Sequence, residues 1–383
     1  KLTDRFGYPM VNDSTTYVTA AITTGTGGSL SGIATAQASN GVVRFTGLRL
    51  SGLVKTSLDS TTPMDYKLTF SVGSSFSSAQ TSAINLSPAA ASNVAITREA
   101  AGGTYGAEAG NRFATSPIIK ITDFSGNYVN SAATITVTAA NDDGSNGTII
   151  GGPFTTATGL LDMTNAGLSG LIGDYTLTYN VSVVRPGTTP FTFRGTQRIT
   201  LTHGDPARIA VATGTQPNSG TATGETLNTT PVVKLLDSSN NVVTGYANTN
   251  MSVALVAASN GLTPTGTALQ EVVANTASAT AVAGIADFGT LKVIGVPGTS
   301  YKLKFTLDGV SSVAAVTSDA FTVTHGAPAS VEVTQAPVAG MKSGTTFTTP
   351  AKVSIKDAYG NLVTTHSTSY MVASLVDNGN TVA

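Results

Sequence analysis

Pro231-Val-Val-Lys-Leu-Leu-Asp-Ser-Ser-Asn-Asn-Val-Val243 reads as a strand, a tight turn headed by Asp237, and the start of the next strand. The chain holds three more versions of it. They are Lys1-Leu-Thr-Asp-Arg-Phe-Gly-Tyr-Pro-Met-Val11, Pro117-Ile-Ile-Lys-Ile-Thr-Asp-Phe-Ser-Gly-Asn-Tyr-Val129 and Pro350-Ala-Lys-Val-Ser-Ile-Lys-Asp-Ala-Tyr-Gly-Asn-Leu-Val363. The turn aspartates Asp4, Asp123, Asp237 and Asp357 are 119, 114 and 120 residues apart by subtraction. A recurrence of domain length predicts a tandem array.

Between these turns the apolar residues alternate in short runs such as Val18–Ile22, Tyr66–Phe70, Ile135–Val137, Tyr175–Tyr179, Met251–Val256 and Tyr301–Phe305. Gly, Asn, Asp and Ser separate them, and no 3.6-residue apolar period is sustained. The pattern predicts an all-β chain of sandwiches, about seven short strands each, and the short junctions that carry a Pro, such as His325-Gly-Ala-Pro328, predict that they join into an elongated rod. The expected repeats are 1–86 (without a first strand), 87–204, 205–326 and 327–383 (partial), the second, third and fourth opening at Pro88, Pro206 and Pro328. Both ends fall inside repeats, so the sequence reads as a window on a longer chain. Extra length beyond ~100 residues per immunoglobulin-like domain is expected in the loops 139–154 and 257–270.

Charged residues are 11% of the 383, and the net charge is −1. No basic cluster is present to neutralise phosphates, which excludes the usual nucleic-acid binding modes. No apolar run reaches the ~18 residues of a helical membrane span. The chain has no Cys, which removes disulfides and thiolate chemistry from consideration.

The order is a strand after Pro, then P-x-V-x-(L/I)-x-D-x-x-G-N-x-V, then G-x-A-x-F-x-x-L, then Y-x-L-x-F. It resembles the Ig-like repeats of very large bacterial surface proteins, of the invasin/intimin and filamin-like kinds. The resemblance covers nearly the whole chain. It implies a stalk, adhesin, surface-layer or fibre role at the cell surface or outside the cell.

Candidate chemistry is sparse. No nucleophile–base pair recurs between the copies, so catalysis is not expected, nor is an organic cofactor. In each turn the Asp is expected to bond backbone N–H groups two residues on. Calcium would need several further oxygen ligands, and the best loop for it is Asn141-Asp142-Asp143-Gly-Ser-Asn-Gly147. His203 and His325 share a junction position, with Asn85 the expected counterpart after repeat one, and read as polar linker residues. Tyr66, Tyr175 and Tyr301 stand where a tyrosine corner would lie. Low charge weakens repulsion between copies and points to self-association. Six N-x-S/T sequons, at Asn12, Asn85, Asn146, Asn180, Asn228 and Asn250, are glycan acceptors only if the source glycosylates surface proteins. Surface glycans are the other partner class an adhesin would take. The expected function is therefore structural, in a fibre or surface layer, with the stalk of a large adhesin as the alternative.

Overall fold

The computed structural model describes the chain except residues 55–64, 74–77, 102–106, 185–188, 247–248, 263–272, 275–277, 339, 378–379 and 382–383. Every element assigned among the described residues is a strand. The chain divides into two compact units, Lys1–Thr202 and His203–Ala383. Among the described residues no strand pairing crosses 86/87, 204/205 or 326/327.

In the first unit, repeat one forms a five-stranded antiparallel sheet in the order Val42–Val43, Thr35–Ser39, Tyr17–Thr24, Lys67–Ser71, Ala79–Gln80. Repeat two has a three-stranded sheet, Leu160–Asp162, Ile118–Thr122 and Asn93–Arg98. Facing it is a larger sheet built on Ala133–Asn141, Gly173–Val183 and Phe191–Thr202. Alternation puts Ile119 and Ile121 on the inner face of the small sheet. There they join Ile135, Leu177, Tyr179 and Val181 of the large one in a single core. Each such side chain, taken fully out of water, contributes about 1.5–3 kcal/mol before chain entropy is counted. Near the start of the repeat the chain changes sheets: Asn93–Arg98 pairs in the small sheet, and Ala107–Glu108 runs parallel to Leu201–Thr202 in the large one.

Repeat three, in the second unit, repeats the plan. Arg208–Val211, Val232–Leu236 and Ile285–Asp287 form the small sheet. Thr221–Ala222 runs parallel to Val323–Thr324 at the edge of the larger one. Val233 and Leu235 pack with Val253, Leu255, Leu303 and Phe305. These are all-β, immunoglobulin-like sandwiches, as the alternation predicted.

Repeat four contains the hairpin Pro328–Gln335 with Lys352–Asp357. Its register sets Val331 opposite Ile355 and Val333 opposite Val353. These positions match Ile209, Val211, Leu235 and Val233, counted from the turn aspartates and the strand register. The matching face is core in repeat three, whereas here Val331, Val333 and Val353 are 61%, 62% and 43% exposed.

Two details differ from expectation, and a third expectation falls largely outside the described residues. The stretch 139–154 is not a loop: Ala139 and Ala140 pair with Gly147 and Asn146, so the insertion extends the large sheet as a hairpin. The stretch 257–270 lies mostly outside the described residues. The first strand of repeat two is offset by three residues. Val94 faces Ile121 as Ile209 faces Leu235 and Val331 faces Ile355. Ala91, not Pro88, therefore stands where Pro206 and Pro328 stand, and Pro88, not Asn85, matches His203 and His325. Proline fixes φ but not strand register, which pairing with the apolar face of the neighbour decides.

One glycine recurs for a steric reason. Gly41, Gly159 and Gly284 all have positive φ, at +68°, +82° and +76°. A Cβ on them would lie 2.4, 2.3 and 2.3 Å from the carbonyl oxygens of Met10, Val129 and Val243, each six residues past a turn aspartate. Each glycine carbonyl accepts from the residue two before that aspartate, Leu2, Ile121 or Leu235, at 2.8 Å. The glycine locks the turn hairpin onto the next strand, and only a residue without Cβ fits.

Candidate functional site at the repeat junctions

The turn aspartates do more than cap their own turns. Asp123 Oδ1 accepts from the N–H groups of Ser125 and Asn127, both at 2.9 Å. Its Oδ2 accepts from the Asn127 side-chain amide at 3.0 Å and from Ala89 N–H at 2.9 Å. Asp237 repeats the set with Ser239, Asn241 and Gly204. Asp357 repeats it again with Tyr359, Asn361 and Gly326. The residues Ala89, Gly204 and Gly326 are equivalent in the corrected register, each five before the first inward strand residue. One carboxylate oxygen thus shapes the turn, and the other holds the chain as it enters the repeat. Asp4 of repeat one keeps the turn half alone among the described residues, accepting from Phe6 and Tyr8 at 2.9 Å.

These carboxylates are almost wholly buried, with Asp123, Asp237 and Asp357 at 1%, 0% and 2% exposure. Burial opposes ionisation of Asp123. The bonds from the Asn127 side chain and from the N–H groups of Ala89, Asn127 and Ser125 outweigh it and hold the carboxyl below its ordinary value. Asp357 is held low in the same way: burial works against it, and Gly326, Asn361 and Tyr359 work for it.

The junction histidines reinforce the entry. His203 Nδ1 lies 3.0 Å from Gly204 O, and its Nε2 accepts from Gly245 N–H at 3.3 Å. His325 Nδ1 lies 2.9 Å from Gly326 O, and its Nε2 meets the Thr365 hydroxyl at 3.0 Å. They are linker residues that fix the chain to the loop beyond the turn.

Asn127 reaches further. Its amide nitrogen also donates to Gly52 O at 3.0 Å, and its Oδ1 accepts from Val54 N–H at 2.8 Å. Both partners belong to repeat one. The loop they occupy is set by the tyrosine corner, since Tyr66 donates its hydroxyl to Leu53 O at 3.0 Å. Tyr175 donates to Leu171 O at 2.8 Å, and Tyr301 accepts from Val296 N–H at 2.9 Å. The three hydroxyls do bond back to the preceding loop. The ring fits because a glycine faces it: a Cβ on Gly52, Gly170 or Gly295 would lie within 3.1 Å of the Tyr66, Tyr175 or Tyr301 hydroxyl.

The calcium-candidate residues lie in the turn of the 139–150 hairpin. Asp142 pairs with Arg198, Asp143 Oδ1 accepts from Ser145 N–H at 2.7 Å, and Asn141 Oδ1 accepts from Asp143 N–H at 3.3 Å. A cation drawing on both carboxylates would have to take Asp142 from Arg198. Among the described residues, no group of three or more His, Asp and Glu side chains is placed to hold a metal. Among the described residues, no helix is long and apolar enough to cross a membrane.

Sequence reasoning found the Asx turn but missed the second carboxylate oxygen and the role of the Asn four residues on. The recurrence of that Asn in D-x-x-x-N, at Asn127, Asn241 and Asn361, was the available signal.

No protein-family model matches the chain, and no curated protein sequence does. Among solved structures it is similar to a beta-glycosidase from Bacteroides vulgatus at 10% identity and a TM-score of 0.24, covering 60% of this chain and 24% of that one. It is similar to domains 5–6 of the S-layer protein SbsC at 14% identity and a TM-score of 0.20, covering 62% of this chain and 100% of that one. It is also similar to zebrafish RET cadherin-like domains 1 to 4 at 10% identity and a TM-score of 0.19, covering 81% and 66%. The chain thus spans about a quarter of the glycosidase's length. Scores of this size leave the assignment of fold to the strand pairings above.

Proposed function

We propose that this chain is a non-catalytic structural segment of an extracellular or cell-surface protein, a spacer of immunoglobulin-like repeats that assembles with further copies of itself. The observation that carries this reading is the aspartate set repeated at Asp123, Asp237 and Asp357. Buried polar chemistry that an enzyme would gather in a cleft is here placed at the points where the chain enters repeats two, three and four. Each complete sandwich holds its own core, so stability is local to a repeat, and the junctions govern how repeats are presented. The low charge, 11% of residues, favours side-by-side packing of copies.

Electron microscopy of the full-length native protein, with and without a calcium chelator, tests this reading. Filaments or a lattice are expected. A protein that stays monomeric at high concentration under both conditions overturns the assembly reading, and a distinct head at the end of single particles transfers the function to that head. Loss of order on chelation would assign calcium to Asn141, Asp142 and Asp143 once their substitution reproduced it.

A further inference from the structure

The two junctions that lie inside a compact unit are not built alike. Between repeats one and two, Asn127 makes two bonds to the Gly52–Val54 backbone, and Asn127 is 5% exposed. Two directional bonds in a buried setting resist rotation of one repeat against the other. Between repeats three and four the equivalent amide is Asn361. It donates to Asp357 Oδ2 at 3.0 Å, as Asn127 does to Asp123. Among the described residues it makes no bond to repeat three, and it is only half-buried.

The sequence of the facing loop supplies the reason. The tyrosine-corner glycine aligns Gly52-Leu53-Val54 with Gly295-Val296-Pro297. Val54 gives the N–H that Asn127 Oδ1 accepts; Pro297, at the same place, has no N–H to give. What repeat four offers repeat three instead is the Tyr359 ring. A Cβ on Gly224 would lie 2.1 Å from the Tyr359 hydroxyl, so the ring sits directly on that glycine. A ring resting on backbone is a non-directional contact and allows sliding that a pair of hydrogen bonds does not.

We infer that the D-x-x-x-N asparagine is a junction clasp, closed between repeats one and two and open between repeats three and four, where Pro297 removes its donor and leaves a compliant joint. The two junctions then differ in stiffness through a single residue in the loop before Tyr66 and before Tyr301. The inference concerns one chain in solution and stands whether or not copies assemble.

The absence of native cysteine permits clean double labelling of the full chain. Spin-label pairs at Thr35→Cys with Thr196→Cys, and at Thr306→Cys with Thr334→Cys, report the distance distributions across the two junctions by pulsed dipolar spectroscopy. Asn127→Ala is expected to broaden the first distribution. Asn361→Ala removes the same intra-turn bond without a cross-junction partner and is expected to leave the second unchanged. Pro297→Val is expected to narrow the second. If Asn127→Ala does not fold, Val54→Pro removes the N–H that Asn127 Oδ1 accepts and keeps the Asn127–Asp123 pair. No broadening with either first-junction variant overturns the clasp. A second distribution that Pro297→Val leaves unchanged overturns the role given to Pro297, as does broadening by Asn361→Ala.

Discussion

Asp357 Oδ2 accepts from Gly326 N–H at 2.9 Å across 31 residues of sequence, the same bond that ties Asp237 to Gly204 across 33. A carboxylate conserved in geometry between two copies of a repeat, wholly enclosed and fully bonded, ranks among the costliest groups in the chain to remove.

Asp237→Ala is the sharpest test of that cost. It leaves the N–H groups of Gly204, Ser239 and Asn241 without their acceptor at a site where Asp237 is 0% exposed. Each orphaned buried donor costs about 1–3 kcal/mol. A loss of about 3 kcal/mol or more is expected in urea unfolding of the full chain, confined to the transition of repeat three. A loss under about 1 kcal/mol would mean that water replaces the carboxylate.

Acid should loosen the junctions before the cores. Asp123 and Asp357 are held below the ordinary value of 3.8. A depressed carboxyl stabilises the fold above its unfolded-state value and loses that contribution as pH falls through the folded value. Melting temperature should be flat from pH 7 to about 5 and fall below about 4. Asp13, which the Thr16 hydroxyl and the N–H groups of Thr15 and Thr16 hold at about 2, adds to the same slope. Removing the Asp123 and Asp357 carboxylates should flatten it, and an unchanged slope in the double Asn variant would reject the assignment.

Alkali should act through repeat two. Tyr179 donates to Gln197 Oε1 at 2.9 Å, and burial, with the charge of Glu99, raises its ionisation above the ordinary 10.0. A raised value means stability is intact below pH ~10 and is lost as pH climbs past it. In a phenolate absorbance titration, Tyr179 should ionise only as repeat two unfolds. Comparison with Tyr179→Phe isolates its signal, and a Tyr179 increment already present in the pre-unfolding range of the wild type would contradict the expectation.

The recurring glycine predicts a matched pair of failures. Gly159→Ala and Gly284→Ala both place a methyl 2.3 Å from a carbonyl oxygen at positive φ. Overpacking of this kind costs typically 1–3 kcal/mol, with backbone strain added. Gly126→Ala, also at positive φ but with nothing within 4 Å of its Cβ, carries the strain alone and should cost less. Equal losses at Gly126 and Gly159 would show that close approach to Val129 is relieved by movement.

The sequence by itself determined the recurrence of the aspartate turn, the all-β class, most of the strand positions and the Asx turns. Those features depend on neighbours two to four residues away, as in Asp123 with Ser125 and Asn127, or on alternation that one sandwich face imposes. The tyrosine positions were legible for the same reason, since each begins a strand after a loop. Tertiary structure alone decided the partner of the second carboxylate oxygen, the three-residue offset that puts Ala91 rather than Pro88 at the opening of repeat two, and the reach of Asn127 to a loop some 75 residues earlier. Such contacts depend on where the first strand docks against Ile119 and Ile121, and on which backbone groups the preceding repeat leaves unbonded. Neither is written in local spacing. Proline sets φ and not register, and a loop carbonyl becomes an acceptor only when the fold brings a donor to it.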